Sequence, residues 1–254
     1  MPEWVPSAQR EAWLLAGRLY QRVPGGWTIV GGQMVQFHGW RAGTVPTRTT
    51  TDLDAGIAAR ANPSAFPSIS GAVQELGLRP VLHPSGVEHR WYKKLDGGGE
   101  VRVDLLLPAG LGARGQPSAN GRPGVQSHGV QWATDLSRLW ILAVADQHLT
   151  VPVPSLLGAV VAKASALLNV SDRDPARHLS DIAFLAGIAT AEDLSENLTS
   201  AQAARVIDTV SEHRATWTIN HVRAEAQRQL RYADHPGGPE LVDPPADVPR
   251  RAAD

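Results

Sequence analysis

The chain has 254 residues, with 24 Lys+Arg against 25 Asp+Glu, 43% hydrophobic residues and no cysteine. That length is enough to bury an ample core in one large domain or two smaller ones, and the hydrophobic content is that of a globular chain, not a disordered one. The lack of cysteine excludes a disulfide framework, thiolate zinc sites, cysteine-ligated iron–sulfur clusters and a cysteine nucleophile. A net charge of −1 argues against coating nucleic acid through global charge, while local basic patches remain open. The only lysines are Lys93, Lys94 and Lys163, so a lysine in an apolar setting stands out.

The N-terminus lacks a basic stretch followed by an apolar one, so no signal peptide is expected. The longest apolar stretch, around Pro154 to Leu168, is interrupted by Gly158, Lys163 and Ser165 and is too short to span a bilayer. The expectation is a soluble, cytoplasmic protein with no membrane segment.

In chain order, Ser7 to Arg22 is predicted to be a helix with Ser7 as its N-cap and an apolar face of Trp13, Leu14, Leu15 and Leu19. Pro24-Gly25-Gly26 breaks it. Trp27 to Val30 is a short strand ending at Gly31-Gly32, Gln33 to Gly39 a short helix, Ala42 to Thr50 a polar loop and Thr51 to Ile57 a strand. Ile69 to Gly77 reads as a helix ended by its glycine. Arg79 to Leu82, His89 to Leu95 and Glu100 to Leu107 read as strands, the last two joined by the hairpin signal Asp96-Gly97-Gly98-Gly99. Pro108 to Ser127 is a Gly- and Pro-rich loop, and Gly129 to Val153 mixes helix and strand signals. Four helical segments follow, Ser155–Leu168, Pro175–Leu185, Ser200–Glu212 and Trp217–Arg231. The Pro- and Gly-rich stretch from Ala233 reads as a disordered tail.

Asp52 and Asp54 lie two apart in a predicted strand, which puts both carboxylates on one face. Two carboxylates held close repel unless a proton or a cation intervenes, and a cation preferring oxygen ligands, such as Mg²⁺, suits them. Asp104 sits in the otherwise apolar VRVDLLLP, where a carboxylate is costly without a partner. Three carboxylates from two strands could hold two metals roughly 4 Å apart for in-line displacement at phosphorus. With 15 Asp in the chain, about one Asp-x-Asp arises by chance. A second does occur, Asp172-Arg173-Asp174, where Asp174 before Pro175 reads as a helix N-cap. The Asp52/Asp54 pair therefore needs company, and Gly31-Gly32 supplies it. Glycines at a strand-to-helix turn let the backbone approach a phosphate, although neither a Walker A loop nor a dinucleotide fingerprint follows.

Taken together, the strand ending in Gly31-Gly32, then His38-Gly39, then Arg48-x-Thr50-x-Asp52-Leu53-Asp54, then the isolated Asp104, resembles the nucleotidyltransferase fold of the polymerase-β superfamily. The subgroup it resembles is the AbiEii/AbiGii toxin family, which includes MenT-type toxins. Lys163-Ala164-x-Ala166-Leu167, Arg173 and Arg177-His178-x-x-Asp181-Ile182-x-x-Leu185 resemble that family's second motif, with Arg177 and His178 where Lys and Asp are common. The resemblance covers roughly residues 10–190. It implies an α/β (α+β) nucleotidyltransferase fold, a mixed β-sheet flanked by helices, with a C-terminal helical bundle. Its segments would be a catalytic domain over 1–153, a helical domain over 154–232 and the tail over 233–254.

The resemblance implies Mg²⁺ or Mn²⁺ on Asp52 and Asp54 with Asp104 completing the site or deprotonating the acceptor. It also implies nucleotide binding by Gly31, Gly32, Arg48, Thr50 and Lys163, and a functional Lys163 and Asp181. Read from the residues alone, Lys163 is either a lysine snorkelling at a helix edge or a phosphate-binding cation. Asp181 either reaches the site or pairs with Arg177 along the helix. His38 is expected to pack at a helix end, and no histidine spacing indicates zinc. The expected activity is transfer of a nucleoside monophosphate from an NTP to an RNA acceptor such as tRNA, by the toxin of a toxin–antitoxin system with a cognate antitoxin protein. Arginines on the first helix (Arg10, Arg18, Arg22) and the last two (Arg205, Arg214, Arg223, Arg228, Arg231) would supply the basic surface. The competing readings are a nucleotidyltransferase acting on a small molecule and a non-catalytic binding module that retains the fold.

Overall fold

The computed structural model describes residues 5–44, 50–112, 117–144, 146–167, 176–190, 193, 201 and 241–242. Arg48, Arg173, Asp172 and Asp174, and the helices expected over 200–212 and 217–231, lie outside the described residues.

Two sheets form the frame. The larger has the order β1 (Trp27–Val30), β2 (Asp52–Ile57), β5 (Glu100–Pro108), β4 (Arg90–Lys94), β3 (Arg79–Pro80). It is mixed: β2 and β5 run parallel, while β1–β2, β4–β5 and β3–β4 are antiparallel. A short β6 (Val125–Ser127) continues the lane of β4 and pairs parallel with the end of β5. The second sheet is the hairpin β7 (Ser137–Val144) and β8 (Gln147–Pro154), with β9 (Leu241–Val242) paired to the outer side of β7. The stretch Gly129–Val153 thus resolves into α4 (Val130–Asp135) and this hairpin, a distinction its mixed pattern did not carry. Leu241–Val242, within the segment expected as a tail, pairs with β7.

The alternation of β5 sorts its two faces. Val101, Val103, Leu105 and Leu107 are buried in the core, against α1 (Ser7–Arg22) and α3 (Ala65–Glu75). Arg102, Asp104 and Leu106 point the other way, by the period of two. Leu53, Ala55 and Ile57 of β2 likewise fill the core, leaving Asp52, Asp54 and Gly56 on the second face. A Cβ at Gly56 would touch Val130 at 3.2 Å, so α4 covers that second face. Behind it come α5 (Leu156–Ala166) and α6 (Ala176–Gly187). α2 (Gly31–Arg41) follows β1 directly. The core is one continuous cluster holding Trp13, Phe37, Leu105, Leu156 and Ile182, from both halves of the sequence.

Local signals explain most boundaries. Ser155 caps α5, its Oγ accepting from the Gly158 amide at 3.1 Å. Ser7 does not cap α1: Pro6 holds that position with no side-chain bond, and its fixed φ near −53° suits the entry to a helix. α3 begins earlier than its apolar pattern indicates, at Ala65, and ends by Gly77 with φ +87°. The expected strand over Arg79–Leu82 keeps only Arg79–Pro80, and Leu82 is left 69% exposed. His38 donates from Nε2 to the Pro154 carbonyl at 3.0 Å and stitches α2 to β8. Burial pushes its pKa down to about 4, so the ring stays neutral. Among the described residues no helix is long and apolar enough to cross a membrane.

α5 is drawn close by a glycine. Gly129 has φ +85°, and a Cβ there would lie 2.3 Å from the Ala162 carbonyl oxygen. Gly129→Ala must therefore push α4 from α5 as well as adopt a left-handed backbone. The expected cost is about 2 kcal/mol or more, a fall in Tm of roughly 5 °C by differential scanning calorimetry. An unchanged Tm would contradict this close approach.

Candidate functional site

The register of the large sheet sets its charged residues in one transverse row. Val30 faces Asp54, Asp54 faces Asp104 across the parallel pair, and Asp104 faces Arg90 across the antiparallel pair. Directly opposed residues share a face and stand close, so the carboxylates of Asp54 and Asp104 are neighbours, with Asp52 two residues along.

Each carboxylate meets its surroundings differently. Asp104 is only 9% exposed. Arg90 grips it bidentately, Nε donating to Oδ1 at 2.7 Å and Nη2 to Oδ2 at 2.6 Å. This hydrogen bonding makes Arg90 still harder to deprotonate. Among the described residues, no arginine grips Asp54 in this way. Its carboxyl is recessed, and its pKa is pushed up to about 7. Burial is the main cause and the negative charges of Asp104 and Asp52 add to it, while Lys163 and Arg177 pull in the opposite direction.

The strand-to-helix turn closes over Asp54. Gly31, the first residue of α2, has φ +67°, and a Cβ on it would sit 1.8 Å from Oδ2 of Asp54. Only glycine allows this approach. At Gly32 a Cβ would meet Cγ2 of Thr50 at 2.8 Å, and Gln33 donates to the Thr50 carbonyl at 3.1 Å. Gly31, Gly32 and Thr50 thus surround the N-terminus of α2 beside Asp54. A helix N-terminus attracts anions through its N–H groups and dipole.

The second motif folds back onto the same place. Lys163 of α5 is 4% exposed and its Nζ lies 2.7 Å from Oδ2 of Asp181 of α6, itself 7% exposed. Lys163 is therefore neither a snorkelling lysine nor an unpaired one, and Asp181 reaches across to α5. With Arg177 of α6, Lys163 is close enough to Asp54 to oppose the rise of its pKa. The structure thus gathers Gly31, Gly32, Thr50, Asp52, Asp54, Asp104, Lys163 and Asp181 around one region, while Arg48 lies outside the described residues.

Among the described residues, no three His, Asp or Glu side chains are grouped so as to hold a metal ion. The donor chemistry nonetheless suits a hard divalent cation at Asp52 and Asp54. Both are oxygen donors, and Asp54 sits in a cluster where positive charge is short. Mg²⁺ commonly takes only one or two carboxylates and completes its shell with water and substrate phosphates. Asp104, expected to complete the metal site, accepts one hydrogen bond from Arg90 on each oxygen.

Arg90 is the residue that the sequence reading missed. A turn confined to Asp96–Gly99 would set Leu95 opposite Glu100, and hence Arg90 opposite Leu105. The turn uses one residue more: Leu95 donates to and accepts from the turn glycines, and Lys94 pairs with Glu100. That single step turns Arg90 onto the face of Asp104. An isolated carboxylate in an apolar strand, with an arginine in the strand across the turn, was the available signal.

No family model matches the chain, and no curated protein matches its sequence. Among solved structures it is similar to an antigenic nucleotidyltransferase-like protein from Paracoccidioides brasiliensis. The TM-score is 0.53 at 12% identity, over 84% of this chain and 94% of that one. This likeness shows a nucleotidyltransferase-like fold.

The raised pKa of Asp54 has a consequence for stability. The folded protein keeps its proton up to about pH 7, whereas an unfolded aspartate releases it near 3.8. The folded state thus binds more protons in between. The stability that this proton contributes is full below the lower value and is lost as pH rises through about 7. In metal-free protein, the Tm of Asp54→Asn relative to wild type should therefore rise between about pH 4 and about pH 8. A difference independent of pH would contradict the shift.

Proposed function

We propose that the chain is a nucleotidyltransferase that joins a nucleoside monophosphate from an NTP to an acceptor hydroxyl and releases pyrophosphate. The observation that carries this reading is the placement of Asp54 beside Asp104 in a nucleotidyltransferase-like fold, with Gly31 forced against Asp54 at the N-terminus of α2.

In this reading Asp52 and Asp54 would hold Mg²⁺ or Mn²⁺, which when bound supplies charge neutralisation for the phosphates. Gly31, Gly32 and Thr50 border the N-terminus of α2, whose N–H groups would receive phosphate oxygens. Arg48, just before this strand, would add a cation. Lys163 offers a positive charge held in place by Asp181. The acceptor oxygen attacks the α-phosphorus, the bond to the bridging oxygen of the leaving pyrophosphate breaks, and the acceptor proton passes to Asp104. Positioning and charge neutralisation would account for most of the rate.

The acceptor we favour is an RNA, tRNA foremost, with the protein acting as a toxin restrained by a cognate antitoxin and working in the cytoplasm. This rests on the two sequence motifs. A small-molecule acceptor is the second reading, favoured by the ion pairing of α1 arginines: Arg18 with Glu11 at 3.4 Å and Arg22 with Glu75 at 3.9 Å. Both pairs reduce the basic charge α1 could offer a phosphate backbone.

Incubation with each α-³²P-labelled NTP, total RNA and Mg²⁺ should give label on the RNA, abolished by chelation. Asp52→Ala and Asp54→Ala should each lower the rate on the order of 10²-fold or more. Transfer that survives either substitution, or nucleotide left intact with every acceptor tried, would overturn the reading.

A further inference from the structure

The carboxylate pair of β2 and the carboxylate of β5 are not equivalent. Asp104 already has a cation. Arg90 is placed opposite it by the β4–β5 register and meets both of its oxygens, at 2.7 and 2.6 Å, in the parallel fork geometry that makes arginine–carboxylate pairs strong. The pair is poorly exposed on the Asp104 side, at 12% of its side chain, so solvent does little to loosen it. A second divalent cation shared by Asp54 and Asp104 would have to sit beside a guanidinium at contact distance, or expel it. Asp181 is likewise spoken for by Lys163 at 2.7 Å.

We propose that Arg90 is a positioning residue that takes the place of a second divalent cation at Asp104. The site then holds one divalent cation, on Asp52 and Asp54, and Asp104 stands outside its ligand shell. Each Asp104 oxygen accepts one N–H from Arg90 and keeps a further lone pair. Its charge is matched, its orientation is fixed by the fork, and it remains able to accept a proton from the acceptor hydroxyl. This inference rests on the nucleotidyltransferase reading and narrows it to a site with one metal ion and one fixed guanidinium.

The test counts bound Mn²⁺, added alone, by electron paramagnetic resonance, with melting curves alongside. Wild type should bind one equivalent. Asp104→Asn should keep it with affinity within about threefold, whereas Asp54→Asn should weaken it by at least about tenfold. Arg90→Gln leaves Asp104 and Asp54 facing each other unmatched. It should melt lower without a cation, recover with Mn²⁺ and bind a second equivalent. Arg90→Lys, which restores the charge, should return to one.

Two equivalents on wild type, an Asp104→Asn loss equal to that of Asp54→Asn, or an Arg90→Gln protein that stays at one equivalent would overturn the inference and leave the functional reading standing. Absence of Mn²⁺ binding by folded wild type would overturn both. Should Arg90→Gln not fold, the comparison of Asp104→Asn with Asp54→Asn decides.

Discussion

Crowding of negative charge on one face of the large sheet is the constraint to which the surrounding structure answers. The parallel pairing of β2 with β5 sets Asp54 against Asp104, with Asp52 on the same side of its strand. Carboxylates so placed cannot all remain ionised without positive charge nearby. The fold answers from two directions. Arg90 comes from the neighbouring strand and bonds one N–H to each oxygen of Asp104, and α5 and α6 bring Lys163 and Arg177 toward Asp54. What is left under-compensated is Asp54 itself, with a pKa pushed up to about 7. Buried carboxylates with a pKa shifted in this way cluster at functional sites.

Backbone sterics then fix where a ligand could approach. Gly31 must be glycine because Asp54 Oδ2 occupies the space of its missing side chain, and the same contact ties β2 to the start of α2. Gly129 plays the matching part at the other end, letting α4 lie against the Ala162 carbonyl, one residue before Lys163. The buried Lys163–Asp181 pair then ties α5 to α6. Breaking such a pair by removing one partner leaves an uncompensated buried charge. Gly129 and this ion pair therefore bring the helical second half onto the strand that carries Asp54, while Gly31 brings the start of α2 against the same residue.

Much of this was legible in the sequence, and the exceptions have physical causes. Period-2 alternation placed Asp52 and Asp54 on one face, and β2 and β5 each turn one face into a continuous core. The glycine pair at the start of α2 was readable as local chemistry. Arg90 was not, since its facing depends on whether the turn spans four residues or five, and one residue reverses a strand. The β7–β8 hairpin escaped because β8 is buried without alternation from Val151 to Pro154 and holds two prolines. Its burial comes from packing between sheets, which no local pattern records. The Lys163–Asp181 pair was equally hidden, because Lys163 comes near only when α5 folds back against α6.

The measurement that bears most directly on the central claim is anomalous diffraction from crystals grown with Mn²⁺ and a non-hydrolysable NTP. The expected result is a single manganese peak between the carboxylates of Asp52 and Asp54, the triphosphate at the Gly31-Gly32 turn, and the Arg90–Asp104 fork intact. A nucleotide bound away from that turn, or manganese held elsewhere with Asp52 and Asp54 untouched, would contradict it.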